Sequence, residues 1–146
     1  MVSIHWGDNW GYFIPTEQRQ FAHRLIDETG SDIIHCHSSH HPKGIEVYQD
    51  KPIFYGCGDF LNDYEGISGY EAYRDDLALM YFVSMDPSTG RLSHLRLIPT
   101  QIKRFRSNRA TTEDAKWLRD LLNSEGKKLG TRVELNDDGS MNLYWE

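Results

Sequence analysis

The stretch that decides the fold is Asp32-Ile33-Ile34-His35-Cys36-His37-Ser38-Ser39-His40-His41, in which a short apolar strand runs into a loop of histidines. Four of the seven histidines of the chain fall within residues 35–41. The strand has the short apolar character of a buried parallel strand, and the polar residues after it predict a loop projecting from a rigid edge. Neutral imidazole binds metals and also moves protons near neutral pH. The stretch therefore indicates either a metal or catalytic site, or a surface loop that is merely rich in histidine.

A strand, a helix and a second strand follow one another at the start of the chain. Residues 2–5 predict the first strand. Residues 16–28 predict a helix that starts after Pro15, ends before Gly30 and has apolar residues at helical spacing. Residues 32–35 predict the next strand, so the opening is a βαβ unit. Ligands of such sheets bind beyond the carboxyl ends of the strands, and we therefore expect His5 and the histidine loop at one edge.

Antiparallel hairpins are predicted for most of the remaining chain. Residues 45–48 pair with 52–55, residues 77–85 with 91–99, and residues 132–135 with 141–145, each pair across a turn. Residues 110–126 predict a second helix with Thr112 as its cap, whereas residues 61–73 have no regular pattern. The sequence thus predicts a single α/β (α+β) domain over residues 1–146.

Composition restricts the classes of function. The chain has 146 residues, of which 38% are hydrophobic, and this is enough for one core. A net charge of −6 argues against nucleic acid or an anionic membrane surface as the default partner. No run approaches the roughly 20 apolar residues of a membrane span. We expect a soluble, cytoplasmic chain, although the two cysteines, Cys36 and Cys57, form no disulfide framework and leave the compartment open.

Four segments resemble one protein family in the same order. They are Ser3-Ile4-His5-Trp6-Gly7, then residues 32–40, then Gly44-Ile45-Glu46-Val47-Tyr48, and finally Pro52-Ile53-Phe54-Tyr55-Gly56-Cys57-Gly58-Asp59-Phe60. Together they are similar to the capsule-synthesis CapA, or poly-γ-glutamate biosynthesis, family of the calcineurin-like metallophosphoesterase superfamily. The resemblance extends over about residues 2–100. Cys36 and Asn9 depart from it, because the family often has Gly and Glu at these two positions.

The resemblance implies the C-terminal half of a four-layer α/β/β/α sandwich with a two-metal site at the sheet edge. It makes His5, His37 and His40 the expected ligands of a divalent metal, Mn²⁺, Fe or Zn²⁺. His41 is expected to contact a substrate phosphate or carboxylate, and Asp59 to orient a ligating imidazole or to cap its turn. The Asp, Gly-Asp and Asn-His motifs of the family's N-terminal half have no counterpart before His5.

Two functions follow from these expectations. The first is a metal-dependent hydrolase that acts on a phosphoester or on a poly-γ-glutamate linkage. The second is a catalytically silent half-domain that completes its sheet and its site with another chain. A nucleophile mechanism fits less well, because Ser38 and Ser39 lack the glycine frame of a nucleophile elbow.

The first predicted strand begins at residue 2 and would otherwise be a bare sheet edge. We therefore expect the chain to associate with a second copy of itself or with a missing N-terminal half. His35 is expected to have a structural role, and His23 and His94 are expected to have none in the site.

Overall fold

The computed structural model describes residues 1–146 and contains two β-sheets and two α-helices. Their order along the chain is β1 Val2–His5, α1 Thr16–Thr29, β2 Ile34–His37, β3 Ile45–Tyr48, β4 Lys51–Phe54, β5 Leu77–Met85, β6 Leu92–Ile102, β7 Ser107–Arg109, α2 Thr112–Gly126, β8 Thr131–Leu135 and β9 Met141–Trp145. A single 3₁₀ turn lies at Glu71–Tyr73. The predicted mixed α/β class is confirmed, and neither α-helix combines the length and the apolar composition that a membrane crossing requires.

The first sheet has the strand order β1-β2-β4-β3 and contains the predicted βαβ unit. β1 is parallel to β2, which is parallel to β4, while β3 is antiparallel to β4. β2 begins two residues later than predicted, because the carboxylate of Asp32 lies outside the sheet, where Lys51 Nζ donates to it at 2.6 Å. The strand also ends two residues later than predicted, at His37. Both His35 and His37 therefore belong to β2 and not to a loop.

One face of the first sheet packs against α1. Ile34 and Cys36 of β2 alternate inward and are completely buried against Ala22 and Ile26 of the helix. The helix ends at Gly30, whose left-handed backbone (φ 66°) lets its N–H donate to the carbonyl of Ile26. Truncating a side chain buried like Ile26 costs about 2–5 kcal/mol, so this interface fixes the strand that carries the histidines.

The second sheet has the order β5-β6-β9-β8, with β7 added on β6. β6 continues past the predicted end at residue 99. Proline has no N–H to donate, but the carbonyl of Pro99 still accepts a hydrogen bond from the N–H of Ala110, so Pro99 is accommodated within the strand. α2 begins at Thr112 and not at residue 110. Thr111, rather than the predicted Thr112, is its cap, since the Thr111 hydroxyl accepts from the N–H of Asp114 at 3.2 Å.

The main core lies between the two sheets and beneath α2. Ile45 and Phe54 of the first sheet pack there with the leucines of β5 and β6, and with Leu118 and Leu122 of α2. α1 thus packs on one face of the first sheet. α2 packs on the core between the two sheets. Met80 and Phe82 of β5 remain 36% and 48% exposed.

A gap lies between β2 and β4 of the first sheet and β5 of the second sheet. An open cavity of about 340 Å³ lies there, with a mostly apolar lining that includes His35, Phe54, Cys57, Phe60, Leu79 and Tyr81. We call this cavity the inter-sheet wedge. The histidine-bearing face of β1 and β2 opens beside it, so the fold places the candidate site at its mouth.

Candidate functional site

The open face of the first sheet carries Ser3, His5, His35 and His37. Side chains alternate along a strand, and the parallel register places Ser3 opposite His35 and His5 opposite His37. The rings of His5 and His37 stand edge to face, with their centroids 5.2 Å apart. Both side chains are exposed. The predicted meeting of His5 with the histidine segment at one sheet edge is therefore what the structure shows.

Ser3 links the imidazoles of this face. Its hydroxyl lies 3.0 Å from Nδ1 of His35 and 3.4 Å from Nδ1 of His37. Burial, helped by the neighbouring His37, lowers the pKa of His35 and favours its neutral ring. His35 is therefore half-buried and hydrogen-bonded to Ser3, as its predicted structural role implies, while His37 is exposed.

His40 is held by a carboxylate. Its Nδ1 lies 2.8 Å from Oδ2 of Asp59, and the hydroxyl of Tyr64 donates to the same oxygen at 2.5 Å. Burial, together with this bond to Asp59, raises the pKa of Tyr64 to about 12, so the phenol remains a donor. Because an ionised carboxylate only accepts hydrogen bonds, Nδ1 of His40 is the donor in this contact, and Nε2 is left free of it. This is the arrangement that a metal-ligating or proton-accepting histidine requires.

His41 lies in an aromatic cluster and is 0% exposed. Its ring stacks on Tyr73 at 4.8 Å and meets Tyr12 edge to face at 4.7 Å. Nδ1 lies 3.1 Å from the carbonyl of Pro42, whereas Nε2 is buried without a partner. Burial lowers the pKa of His41 to about 4. The contact of His41 with substrate stays a prediction, and in this arrangement Tyr12 and Tyr73 stand over the ring.

The loop after β2 is tied to the segment after β1. The Ser38 hydroxyl donates to the carbonyl of Gly7 at 2.8 Å, and the N–H of His40 donates to the carbonyl of Asn9 at 3.1 Å. Ser38 has a φ of 151°, a backbone region that only glycine adopts readily. Such strain is characteristic of functional loops. Here it sits between two of the predicted ligands, His37 and His40.

The predicted ligands supply the donor chemistry of a metal site but not a complete set. Imidazole suits Zn²⁺ and Fe and also occurs with Mn²⁺. The structure contains no group of three or more His, Cys, Asp or Glu side chains arranged to hold one ion. The one carboxylate bonded to a predicted ligand, that of Asp59, already accepts from His40 and Tyr64. The residues present thus fit part of a two-metal site, in which carboxylates would still have to bridge the ions.

Two residues of the site were not identified from the sequence as partners of the histidines. Ser3 could have been found, because it lies two residues before His5 and so shares its face of β1. Tyr64 could not, since it reaches Asp59 from the irregular segment of residues 61–73, whose path has no periodic signal. His23 and His94 lie away from this face, bonded to Glu46 and Asn142.

Comparison with known proteins identifies a family and several relatives. Residues 1–64 match the family described as bacterial capsule synthesis protein PGA_cap. The chain is 46% identical over 143 residues to the "Probable polyglutamine synthesis accessory protein" of Mycobacterium tuberculosis (strain H37Rv), covering 98% of this chain and 37% of that protein. It is also 35% identical over 91 residues to the PGA biosynthesis protein CapA of Bacillus subtilis (strain 168), covering 62% of this chain and 22% of that protein.

A third relative is the capsule biosynthesis protein CapA of Bacillus anthracis, 30% identical over 81 residues, which are 56% of this chain and 18% of that protein. The chain spans at most 37% of the length of these curated relatives. The aligned regions include the strands and the loop that carry the histidines, since the family match covers residues 1–64. The chain belongs to the CapA family of bacterial capsule and poly-glutamate synthesis proteins.

Proposed function

We propose that this chain supplies the histidine side of a metal-dependent hydrolytic site in capsule or poly-glutamate synthesis. The observation that carries the proposal is the orientation of His40 by Asp59, three residues along the chain from His37, which forms an exposed pair with His5. Nε2 of His40 has no hydrogen-bond partner and lies near the carboxyl edge of a parallel sheet, where the ligands of such sheets bind. The four-layer metallophosphoesterase sandwich remains part of the proposal, with α1 and the two sheets as layers from this chain.

The residues have separate roles in the proposed site. His5, His37 and His40 would hold the metal, and a bound divalent metal supplies an activated water and polarises a phosphoryl or acyl oxygen. Asp59 holds the proton on Nδ1 of His40, and Tyr64 holds Asp59 in place. The mostly apolar inter-sheet wedge borders the site at His35. The substrate class is a phosphoester or a poly-γ-glutamate linkage.

A second polypeptide segment would complete the site. β1 is an edge strand of the first sheet, so its outer backbone groups have no strand partner. The inter-sheet wedge beside it is apolar and open. We propose that a segment of a longer protein, or a second copy of the chain, adds a strand at β1 and brings the missing carboxylates. The alternative, a catalytically silent half-domain, is favoured by the absence of any group of three or more His, Cys, Asp or Glu side chains arranged to hold one ion.

Metal titration tests the proposal directly. Protein purified without chelator should contain Mn, Fe or Zn by elemental analysis and should bind added Mn²⁺ or Zn²⁺ weakly in calorimetry, since few ligands come from this chain. A His37→Ala/His40→Ala double variant should lose this binding. His94→Ala is the matched control, because His94 is an exposed imidazole bonded only to Asn142. Absence of binding in wild type, or equal binding in the double variant, would refute a metal role.

A further inference from the structure

The β6–β7 hairpin is strongly cationic in an otherwise acidic chain. We define the cationic hairpin as residues 103–109, which read Lys-Arg-Phe-Arg-Ser-Asn-Arg. It holds four of the 16 basic side chains and none of the 22 acidic ones. The whole chain has a net charge of −6, so everything outside the hairpin carries −10. All seven residues are exposed, and the side chains of Lys103, Arg104, Arg106 and Asn108 line an open depression of about 570 Å³.

The charges of the hairpin are not used in ion pairs. Elsewhere most arginines are paired with carboxylates, as Arg19 is with Glu46 and Arg74 is with Asp76 and Asp114. No carboxylate lies within ion-pair distance of any of the four cations of the hairpin. Arg109 donates instead to the backbone carbonyl of Asp138. The one carboxylate contact is at the backbone, where the N–H of Phe105 donates to Glu65 at 2.7 Å.

The turn of the hairpin has a backbone conformation that its two central residues, Arg104 and Phe105, rarely adopt. Arg104 and Phe105 have φ values of 55° and 54°, the pair of left-handed residues that defines a tight hairpin turn normally built from Asn-Gly. Asn108 secures this shape by donating to the carbonyls of Lys103 and Arg106. Phe105 is 69% exposed at the tip. This backbone conformation is unfavourable for two bulky residues, and such strained residues cluster at functional sites.

We propose that the cationic hairpin is a docking site for a polycarboxylate chain such as a glutamate polymer. Arginine forks bind carboxylates with two parallel hydrogen bonds, and three arginines and a lysine within seven residues match a ligand with repeated carboxylates. The proposal rests on these charges and not on the metal site. The names of two relatives, which refer to PGA biosynthesis and to polyglutamine synthesis, concern polymers of this chemical kind or its amide.

A flexible polymer fits the charge distribution better than an anionic membrane does. A membrane is a broad surface, and it would also repel the −10 charge carried by the rest of the chain. A single extended polymer strand can touch the hairpin and remain farther than a Debye length, about 8 Å at physiological salt, from most other carboxylates. The polymer is therefore the occupant to test, and lipid is the alternative outcome.

Fluorescence anisotropy of a labelled poly-γ-glutamate, with the full chain as titrant, provides the test. Binding should be measurable at low ionic strength and should weaken as salt is added. The triple variant Lys103→Gln/Arg104→Gln/Arg106→Gln should bind at least about tenfold more weakly, because each exposed ion pair contributes roughly a factor of two to five. The single variant Glu65→Gln should bind more tightly, since it removes the one negative charge at the turn.

The matched control removes three unpaired lysines elsewhere, in Lys116→Gln/Lys127→Gln/Lys128→Gln, and should leave polymer affinity nearly unchanged. Equal weakening in both triple variants, or no binding by wild type, would overturn the proposal. Retention on phosphatidylglycerol vesicles without polymer binding would overturn it in favour of lipid. Thermal melting of each variant checks that the fold is kept. Metal titration of the hairpin variant should match wild type, so that failure here is separate from failure of the metal site.

Discussion

Replacing Asp59 by alanine should release the imidazole of His40 from its present tautomer. In the wild-type chain, Nδ1 of His40 donates to Asp59 at 2.8 Å, and the side chains of the pair are 24% and 19% exposed. A hydrogen bond to a charged group contributes about 1.5–3 kcal/mol. Because both groups are partly solvated, the lower end of this range, about 1.5 kcal/mol, is appropriate. This corresponds to roughly a tenfold preference for the tautomer with the proton on Nδ1.

Two measurements follow from this value. Long-range ¹H–¹⁵N NMR of the histidine rings should show His40 of wild type protonated on Nδ1, and the Asp59→Ala variant should lose that preference. Metal affinity measured by calorimetry should fall by about 10–100-fold, as is typical when the carboxylate behind a ligating histidine is removed. Asp59→Asn should give a smaller loss, because an amide oxygen still accepts from Nδ1 but without charge.

The control for this prediction is Asp63→Ala, since Asp63 is an exposed carboxylate four residues away with no hydrogen bond to a histidine. Tyr64→Phe should fall between wild type and Asp59→Ala, because it removes one of the donors that hold Oδ2 of Asp59. An unchanged His40 tautomer and unchanged metal affinity in Asp59→Ala would refute the reasoning. That result would mean that the carboxylate of Asp59 only stabilises the turn in which it lies.

Four further predictions concern activity, association, stability and its dependence on pH. The isolated chain should show little or no hydrolysis of a chromogenic phosphodiester with added Mn²⁺, because bridging carboxylates are missing; robust turnover that disappears in His40→Ala would contradict this. Sedimentation at micromolar concentration should detect self-association through the open edge of β1, and a strictly monomeric folded species would count against it. Tyr55→Phe should destabilise the chain by about 1.5–3 kcal/mol in urea unfolding, since the buried Tyr55 hydroxyl donates to Glu46 at 2.6 Å. Burial alone would raise the pKa of Glu46, but the hydrogen bonds from Arg19 and Tyr55 outweigh it and lower that pKa. Glu46 should therefore stabilise the fold at pH values above the ordinary pKa of a carboxyl, and this stabilisation should be lost as the pH falls through the lowered pKa of Glu46. If the loss of stability at acid pH were the same in Glu46→Gln as in wild type, the assignment would be contradicted.

Periodic patterns predicted most of the fold. The βαβ opening and the three hairpins are confirmed, because each alternation of apolar and polar residues matches a strand with one buried face. The ends of the elements were less predictable. β2 was expected to stop at His35, yet the alternation of Ile34 and Cys36 with His35 and His37 continues to residue 37. β7 was missed entirely, since Ser107–Arg109 is exposed along its length and leaves no hydrophobic signal.

The candidate site was predictable only in part. The strand-end position of His5 and of the histidine segment followed from parallel topology, and Asp59 followed from the resemblance of its glycine-rich turn. The burial of His41 did not follow, because it depends on Tyr12 and Tyr73, which come from two irregular segments and close over the ring. The hydrogen bond from Tyr64 to Asp59 was not predictable for the same reason, because Tyr64 also lies in an irregular segment. Contacts made by loops depend on tertiary packing, and the sequence contains no period from which they could be derived.

The first sheet has two faces with opposite chemistry, and this contrast connects the site with association. On one face, Ile34 and Cys36 are sealed against α1. On the other, exposed imidazoles stand beside the apolar inter-sheet wedge, at an unpaired strand edge. An element that covered the wedge would bury apolar surface worth about 25 cal/mol per Å². The same element would also bring its side chains next to His5 and His37. Docking at β1 would therefore drive assembly and complete the ligand set in a single step, so metal affinity and association should rise together when such a segment is present.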